Sequence, residues 1–448
     1  MQLEDLRTEA YDPAATKSGG RLVSPKLQDS GRDCDVWRFY AGYSFEFVQQ
    51  YLRNTIKGTQ STILDPWNGS GTTTAAAHSL GIHSIGLDLN PVMGFVARAR
   101  VASTQALKAF DALIASGVGI TGRKVSEADG DPLMAWCTAS TASQIRHLQT
   151  QLTQNTSRFL PRSTNSSRRA QLCDEVASLI QLSLFQTVRQ LVAPFTTSNP
   201  TWIRIPKAND GGPKVSASAA KIASMFQQKA EALLDGLVRA GLDALPRNSV
   251  PALAQAASWN LPLPCASIDY IVSSPPYGTR IDYAMATAVE CAVLGLRFDT
   301  EFDTLRHSLT GSTKLSKYGQ LVPAKEWGST CLEFLQIVKE HPSHGSRTYY
   351  FKSWAKYFND IYLSLLEISR VLKTGGHCAL IVQDSFYKET RAPIQEIFEE
   401  MSHSFGLPLI DRFDFPNPRN KASIHPRSKD WREKTIATES VLAFTKIN

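Results

Sequence analysis

Apolar positions along this chain repeat with two different periods. Short apolar runs occur at Thr62-Ile63-Leu64, Ser84-Ile85-Gly86-Leu87, Ile268–Val272 and Cys378–Val382. They are too short for helices, and all but the last, which runs on into Gln383-Asp384, stop soon at Asp, Gly or Pro, which predicts buried strands. Between them the apolar positions return every three or four residues. Phe47, Val48, Tyr51 and Leu52 form one helical face behind Ser44 as N-cap, and Thr72–Leu80 reads as a helix stopped by Gly81. Further helices are expected through Val96 to about Arg100, near 392–403, and from Tyr350 to about Leu372. The last presents Trp354, Phe358, Ile361, Leu365 and Ile368 on one face. Two strand-like runs, Leu409–Phe415 and Ser440–Phe444, close the chain. Strands alternating with helices predict an α/β fold: a mostly parallel sheet, helices on both faces, and an antiparallel C-terminal hairpin.

The alternation lapses between 104 and 250. There the period is helical, with Leu172, Val176, Leu179, Ile180, Leu184, Val188 and Leu191 on one face, and Ala219, Ile222, Met225, Phe226, Ala230 and Leu233 on another. This predicts a helical subdomain inserted between two parts of one α/β domain. The expected organisation is an irregular polar arm at 1–36, one part of the α/β domain at 37–103, the insertion at 104–250 and the remainder at 251–448. Residues 278–346 are mixed and give no assignment.

Composition changes this picture little. A chain of 448 residues suggests two or three structural units, and 42% hydrophobic with 20% charged residues is ordinary for a globular protein. A net charge of +7 suits a polyanionic partner without demanding one. The seven cysteines are scattered and include no Cys-x-x-Cys, so neither a zinc knuckle nor a disulfide framework is expected, and a reducing cytoplasm is the simplest compartment. No run approaches the ~18 apolar residues of a membrane span.

The chemistry concentrates where the strands stop. Ser267-Ile268-Asp269-Tyr270-Ile271-Val272-Ser273 runs into Ser274-Pro275-Pro276-Tyr277. Proline cannot donate to a sheet ladder, so both prolines must lie beyond the strand's carboxyl end, the edge where open α/β sheets bind ligands. The first strand leads into Asp65-Pro66-Trp67-Asn68-Gly69-Ser70-Gly71-Thr72. This is neither the dinucleotide fingerprint, since Thr74 stands at the third glycine position, nor a P-loop, since no Lys-Ser/Thr follows. It allows close approach of a backbone to a ligand, with Asp65 offering a carboxylate. The second strand ends in Asp88-Leu89-Asn90-Pro91, where such folds hold the ribose hydroxyls of an adenosine-containing ligand; Asp88 could equally cap the helix that follows.

Together these segments resemble the amino-methyltransferases of DNA, which methylate exocyclic nitrogens of bases. The loop Asp65–Thr72 is similar to that family's cofactor loop, Gly86–Pro91 to its ribose-binding strand end, and Ser274–Tyr277 to its catalytic tetrapeptide. The stretch Phe39–Phe47 is similar to the segment that closes over the methionine end of the cofactor. Arg370–Gly376 resembles a late helix-to-strand turn. The resemblance covers 37–103 and about 258–448, and leaves the insertion as a target-recognition region. It implies a Rossmann-like class I methyltransferase fold, with a mostly parallel sheet of about seven strands, and S-adenosylmethionine as cofactor. It also implies Ser274, Pro275, Pro276 and Tyr277 as catalytic residues. Tyr43, Asp65, Trp67, Asn68, Gly69, Ser70, Gly71, Thr72, Asp88, Leu89 and Asn90 would bind the cofactor. The implied partner is duplex DNA with a flipped base, with a cognate restriction nuclease as a candidate second partner. Serine at the first catalytic position resembles the cytosine-N4 subgroup, where many adenine enzymes have aspartate, and leaves adenine N6 as the alternative target. The family's acidic contact to the adenine edge has no counterpart in Ala256-Ala257-Ser258-Trp259.

The residues suit that chemistry. An exocyclic amine is a weak nucleophile because its lone pair is delocalised into the ring. Acceptors held stiffly beside its protons, such as Ser274 Oγ and a carbonyl next to the prolines, favour a pyramidal nitrogen. Tyr277 can stack on a base drawn out of the duplex. No metal and no covalent nucleophile is required, and Cys265 lies upstream of its strand, on the wrong side for one. Two other readings stay open: an RNA guanine-N2 methyltransferase, because Gly278 follows the tetrapeptide, and a non-enzymatic nucleic-acid-binding protein. Arg158, Arg162, Arg168 and Arg169, with Arg419, Lys421, Arg427, Lys429, Arg432 and Lys434, could neutralise phosphates, and Trp202 could act as a stacking wedge.

Overall fold

The computed structural model describes residues 22–25, 37, 42–56, 60–117, 130–161, 165–197, 202–206, 212–241, 249–278, 281–312, 314, 321–417 and 437–447. Four short parallel strands come first, β1 (Thr62–Asp65), β2 (His83–Asp88), β3 (Ala252–Gln255) and β4 (Ile268–Ser273). They are followed by β5 (Leu372–Gln383), a small hairpin of β6 (Ser385–Tyr387) and β7 (Thr390–Ala392), and finally β8 (Leu409–Asn417) and β9 (Ala437–Thr445). The main sheet has seven strands in the order β3-β2-β1-β4-β5-β9-β8. The pairs from β3 through β5 are parallel, whereas β9 is antiparallel to both β5 and β8. This is the expected Rossmann-like methyltransferase sheet with its antiparallel C-terminal strands.

The chain doubles back across this sheet between β1 and β4. Ile63 pairs with Tyr270 and Leu64 with Ile271, so the carboxyl ends of two strands some two hundred residues apart emerge side by side. That is the switch point at which such sheets bind ligands.

The expected helices form at or close to the expected bounds. Phe45–Thr55 starts at Ser44, whose Oγ accepts from Phe47 N, and buries Phe47, Val48, Tyr51 and Leu52. Phe351–Val371 buries the whole aromatic-aliphatic face from Trp354 to Ile368. Thr104–Ala115, Ala139–Phe159, Ser166–Leu191 and Ala219–Ala240 make up the helical insertion. Its core is continuous with the helix Pro91–Arg100 and with Ala284–Leu309, beyond the tetrapeptide. A buried ion pair ties the two: Arg189 donates to both oxygens of Glu290 at 2.7 and 2.9 Å and to the carbonyl of Ala286 at 2.8 Å.

Three differences from the sequence reading have physical causes. β3 was not expected, because Ala252–Gln255 is short and mostly exposed at the edge of the sheet. β5 begins at Leu372, six residues before its apolar run, with Gly375 at φ +76° inside the strand and its N–H bonded to Lys446 O. The stretch Arg370–Gly376 is therefore helix end and strand start with an irregular register, not a free turn. The unassigned stretch 278–346 contains helices Tyr283–Ala286, Ala288–Val293, Glu301–Ser308 and Ser329–Glu340, most of them too short to show a period. Among the described residues no helix is long and apolar enough to cross a membrane.

Candidate functional site: a cleft at the switch point

The loop after β1 folds tightly onto β2. Asn68 N donates to Leu87 O at 2.9 Å and Gly71 N to Asn68 O at 2.8 Å. The Asn68 side chain lies flat on Gly86, where a Cβ would come within 2.5 Å of it. Gly69, at φ +48°, then turns its N–H onto Asp88 Oδ2 at 2.8 Å, while Asp88 Oδ1 accepts from Asn90 N at 2.8 Å. Asp88 is half-buried, and withdrawal from bulk water pushes its carboxyl up to about 6 against the pull of these two N–H donors. Asn90, not Asp88, caps the helix Pro91–Arg100, accepting from Val92 N at 3.1 Å.

The tetrapeptide after β4 is braced from three directions. Ser274 Oγ donates to Ile381 O of β5 at 3.2 Å. Tyr277 N donates to the Tyr283 hydroxyl at 2.9 Å. Behind it, Gly311 at φ +76° sits so close that a Cβ there would be 2.7 Å from Tyr277 O.

Both assemblies open onto one cleft of about 840 Å³, part of it open to solvent. Tyr43, Trp67, Asn68, Gly69, Ser70 and Thr72 line it, as do Asp88, Leu89 and Asn90. Ser274, Pro275, Pro276 and Tyr277 line it too. Two expected residues do not. Asp65 is fully buried beneath the cleft, accepting from Ser273 Oγ at 2.5 Å, Trp67 N at 3.1 Å and the Tyr43 hydroxyl at 3.4 Å. Burial pushes it up to about 6, and it offers nothing to a ligand's positive charge. It ties the end of β1 to the end of β4. Gly71 begins the helix Thr72–Ser79 at φ +82°, and a Cβ there would lie 2.8 Å from Ala97 Cβ. Its glycine serves helix packing.

Sequence reasoning missed several lining residues: Ser258, Trp259, Tyr283, Met93, Leu309 and Thr310. Ser258 and Trp259 carried a signal, since they occupy the turn after β3 where an adenine contact was sought. The others come from helices and turns that only tertiary packing brings to the cleft.

Other expectations are modified. Gly278 stands against the ring of Trp354, 2.6 Å from where its Cβ would be, so packing explains the glycine after the tetrapeptide. Arg168 is committed to Glu175, Ser103, Gln105 and Gln171, and Arg169 to the carbonyls of Ser157 and Pro161. Those two cations brace the helices and are not free for phosphate. Trp202 is half-buried, its carbonyl bonded to Thr197 N. Arg162, the connector 418–436, most of the arm 1–36 and Arg38–Ala41 lie outside the described residues. Among the described residues no cluster of three or more His, Cys, Asp or Glu could hold a metal ion.

A family described as DNA methylase matches residues 35–93, the stretch that holds the cofactor-like loop and Asp88. The Type II methyltransferase M.BsoBI of Geobacillus stearothermophilus is 22% identical over 474 residues, spanning 94% of this chain and 88% of its own. The chain is similar to DNA amino-methyltransferases. These matches support methyl transfer to a DNA amine with S-adenosylmethionine as donor, and do not separate N4 of cytosine from N6 of adenine. Among solved structures, geranyl diphosphate methyltransferase in complex with GPP and sinefungin aligns over 98% of this chain and 87% of its own, at 9% identity and a TM-score of 0.32. The rRNA methyltransferase aviRa from Streptomyces viridochromogenes aligns over 95% and 96%, at 10% identity and a TM-score of 0.29. At such scores neither adds to the fold read from the strand order.

The cleft suits that donor. Trp67 Nε1 is buried without an acceptor among the described residues, and each Asp88 oxygen takes one backbone N–H, leaving lone pairs for hydroxyls. Leu89, Met93 and Trp259 add apolar walls.

Proposed function

We propose that the chain methylates the exocyclic N4 of cytosine in duplex DNA, on a base flipped into the cleft. The observation that carries this reading is that the loop after β1, the acid ending β2 and the tetrapeptide after β4 line a single cleft. One pocket can therefore serve a cofactor and a base together.

S-adenosylmethionine supplies an electrophilic methyl group, and the chain supplies position. Asp88 accepts hydrogen bonds from the ribose hydroxyls, each charge-assisted bond worth about 1.5–3 kcal/mol. Leu89 and Trp259 would flank the adenine, with Ser258 near its edge in place of the family's acid. Tyr43, Trp67–Ser70 and Thr72 would close around the remainder. On the substrate side, Ser274 directs its proton to Ile381 O, which leaves its lone pairs to accept from the base amine. The Pro275–Pro276 unit fixes a neighbouring carbonyl for the second amine proton. The amine nitrogen gains a bond to carbon as the carbon–sulfur bond breaks, and one amine proton is lost to water. Tyr277 stacks on the flipped base, and ~1–3 kcal/mol of stacking offsets much of the few kcal/mol that extrusion costs.

Serine at position 274, as in the resemblance to cytosine-N4 enzymes, favours cytosine over adenine. The same resemblance makes the methylated site one that a cognate restriction nuclease would cut, with the insertion reading the sequence. Mass analysis of nucleosides from DNA incubated with the protein and S-adenosylmethionine tests the base. N4-methylcytosine is expected; N6-methyladenine alone would overturn the choice, and methylation of tRNA in preference to duplex DNA would overturn the substrate.

A further inference from the structure

A third wall of the cleft, Leu309–Thr310, belongs neither to the cofactor loop nor to the tetrapeptide, yet it is built as firmly as either. Leu309 N bonds to Leu305 O at 3.0 Å and Ser312 N to Leu309 O at 3.1 Å, while Ser312 Oγ donates to Arg306 O. Arg306 in turn pairs with the buried Asp282 at 2.6 Å. Gly311 presses the turn against the Tyr277 carbonyl at a distance no side chain would permit. Thr310 is thereby held in the cleft wall that also contains Pro276, Tyr277 and Tyr283.

Its chemistry is out of keeping with its surroundings. Thr310 is 3% exposed, and its Oγ1 is buried without a hydrogen-bond partner among the described residues. Three other buried hydroxyls of this part of the fold are engaged: Ser273 with Asp65, Ser312 with Arg306, and Thr287 with Asn90. A buried hydroxyl left unpaired is costly, and valine would fill the same volume without that cost. An unpaired hydroxyl in a rigid wall beside the tetrapeptide is the signature of a group kept for a ligand.

We propose that Thr310 is a substrate-positioning residue whose hydroxyl donates to the ring nitrogen adjoining the amine of the target base. This rests on the function proposed above. The ring acceptor neighbours the amine, so one donor there and the acceptors at Ser274 fix the base in its plane. Both cytosine and adenine carry such an acceptor, so Thr310 sets orientation and not the choice between them.

The test compares Thr310→Val, which keeps volume and removes the hydroxyl, with Thr310→Ser, which keeps the hydroxyl. Each is assayed on duplex DNA and on the same duplex with 3-deazacytosine at the target position, where the ring acceptor is a C–H. For Thr310→Val, kcat/KM should fall about 10–100-fold on ordinary DNA, with unchanged affinity for S-adenosylhomocysteine and a melting temperature equal to or above wild type. Thr310→Ser should stay within a few-fold of wild type. The 3-deaza duplex should cost wild type a similar factor and cost Thr310→Val nothing further. Full activity in Thr310→Val, equal loss in both variants, or additive losses on the 3-deaza duplex would overturn the assignment. A wild-type protein active on ordinary DNA keeps those failures distinct from failure of the methyltransferase reading, which would show as no transfer to DNA at all.

Discussion

The two walls of the cleft are made differently. The wall formed after β1 and β2 is drawn from Pro66–Ser70 with Thr72 and from Asp88–Asn90, and backbone N–H donors shape it: Asn68 to Leu87, Gly71 to Asn68, Gly69 to the Asp88 carboxylate. The wall of Ser274–Tyr277 with Tyr283 and Leu309–Thr310 is held from farther along the chain, by Ile381 and, through Arg306, by Asp282. A wall made by local turns is set by glycines and acids at fixed spacing. A wall made by packing depends on the rest of the molecule, and it carries a buried hydroxyl without a partner among the described residues. The first is suited to a ligand that never changes, the second to a substrate that must be told apart from others.

Substitutions on each side should separate the two. Ser274→Ala should have the largest effect, lowering turnover about 10²–10³-fold by removing an acceptor beside the amine, with cofactor affinity within a few-fold of wild type. Single-turnover kinetics and calorimetry read the two quantities, and Tyr277→Ala should behave alike. Asp88→Ala should do the reverse, weakening cofactor binding about 10–100-fold. With its carboxyl raised to about 6, Asp88 is ionised and able to accept two hydroxyls above that pH and protonated below it. Cofactor affinity measured from pH 7.5 to pH 5 should therefore fall as pH drops through about 6, and Asp88→Asn should abolish that slope. The sign for stability is opposite. Because the folded carboxyls of Asp65 and Asp88 hold protons that the unfolded chain has released above its ordinary value of 3.8, their contribution to apo stability is present at acid pH and lost as pH rises toward 6.

Smaller effects probe the supports. Gly71→Ala forces a methyl to 2.8 Å from Ala97 Cβ in an unfavourable φ, and should cost about 1–3 kcal/mol in denaturant melts. Tyr283→Phe removes the acceptor for Tyr277 N. It should lower kcat several-fold, leave cofactor affinity alone, and cost about 1 kcal/mol or less in stability.

The same division governs how much the sequence discloses. The wall formed after β1 and β2 is legible because glycine turns and strand-end acids announce themselves locally. So is the tetrapeptide, because two prolines after an apolar run must end a strand. Asp65 was misjudged for a physical reason: its position at a strand end is visible in the sequence, but only the pairing of β1 with β4 brings Ser273 onto its carboxylate. Gly71 was misjudged likewise, because Ala97 on another helix fills the space beside it. Thr310, in the turn after the helix Glu301–Ser308, and Tyr283, which opens a four-residue helix, have no local signal, and their place comes from packing against Tyr277. The basic residues 168 and 169 show the converse, a charge run that looks like an interface and is consumed by Glu175 and helix-end carbonyls.

A crystal structure with S-adenosylhomocysteine bound bears most directly on the idea that one cleft serves both walls. The account predicts the ribose hydroxyls on Asp88 and the sulfur turned toward Ser274 and Tyr277. A ligand seated elsewhere, or one whose sulfur faces away from the tetrapeptide, would contradict it.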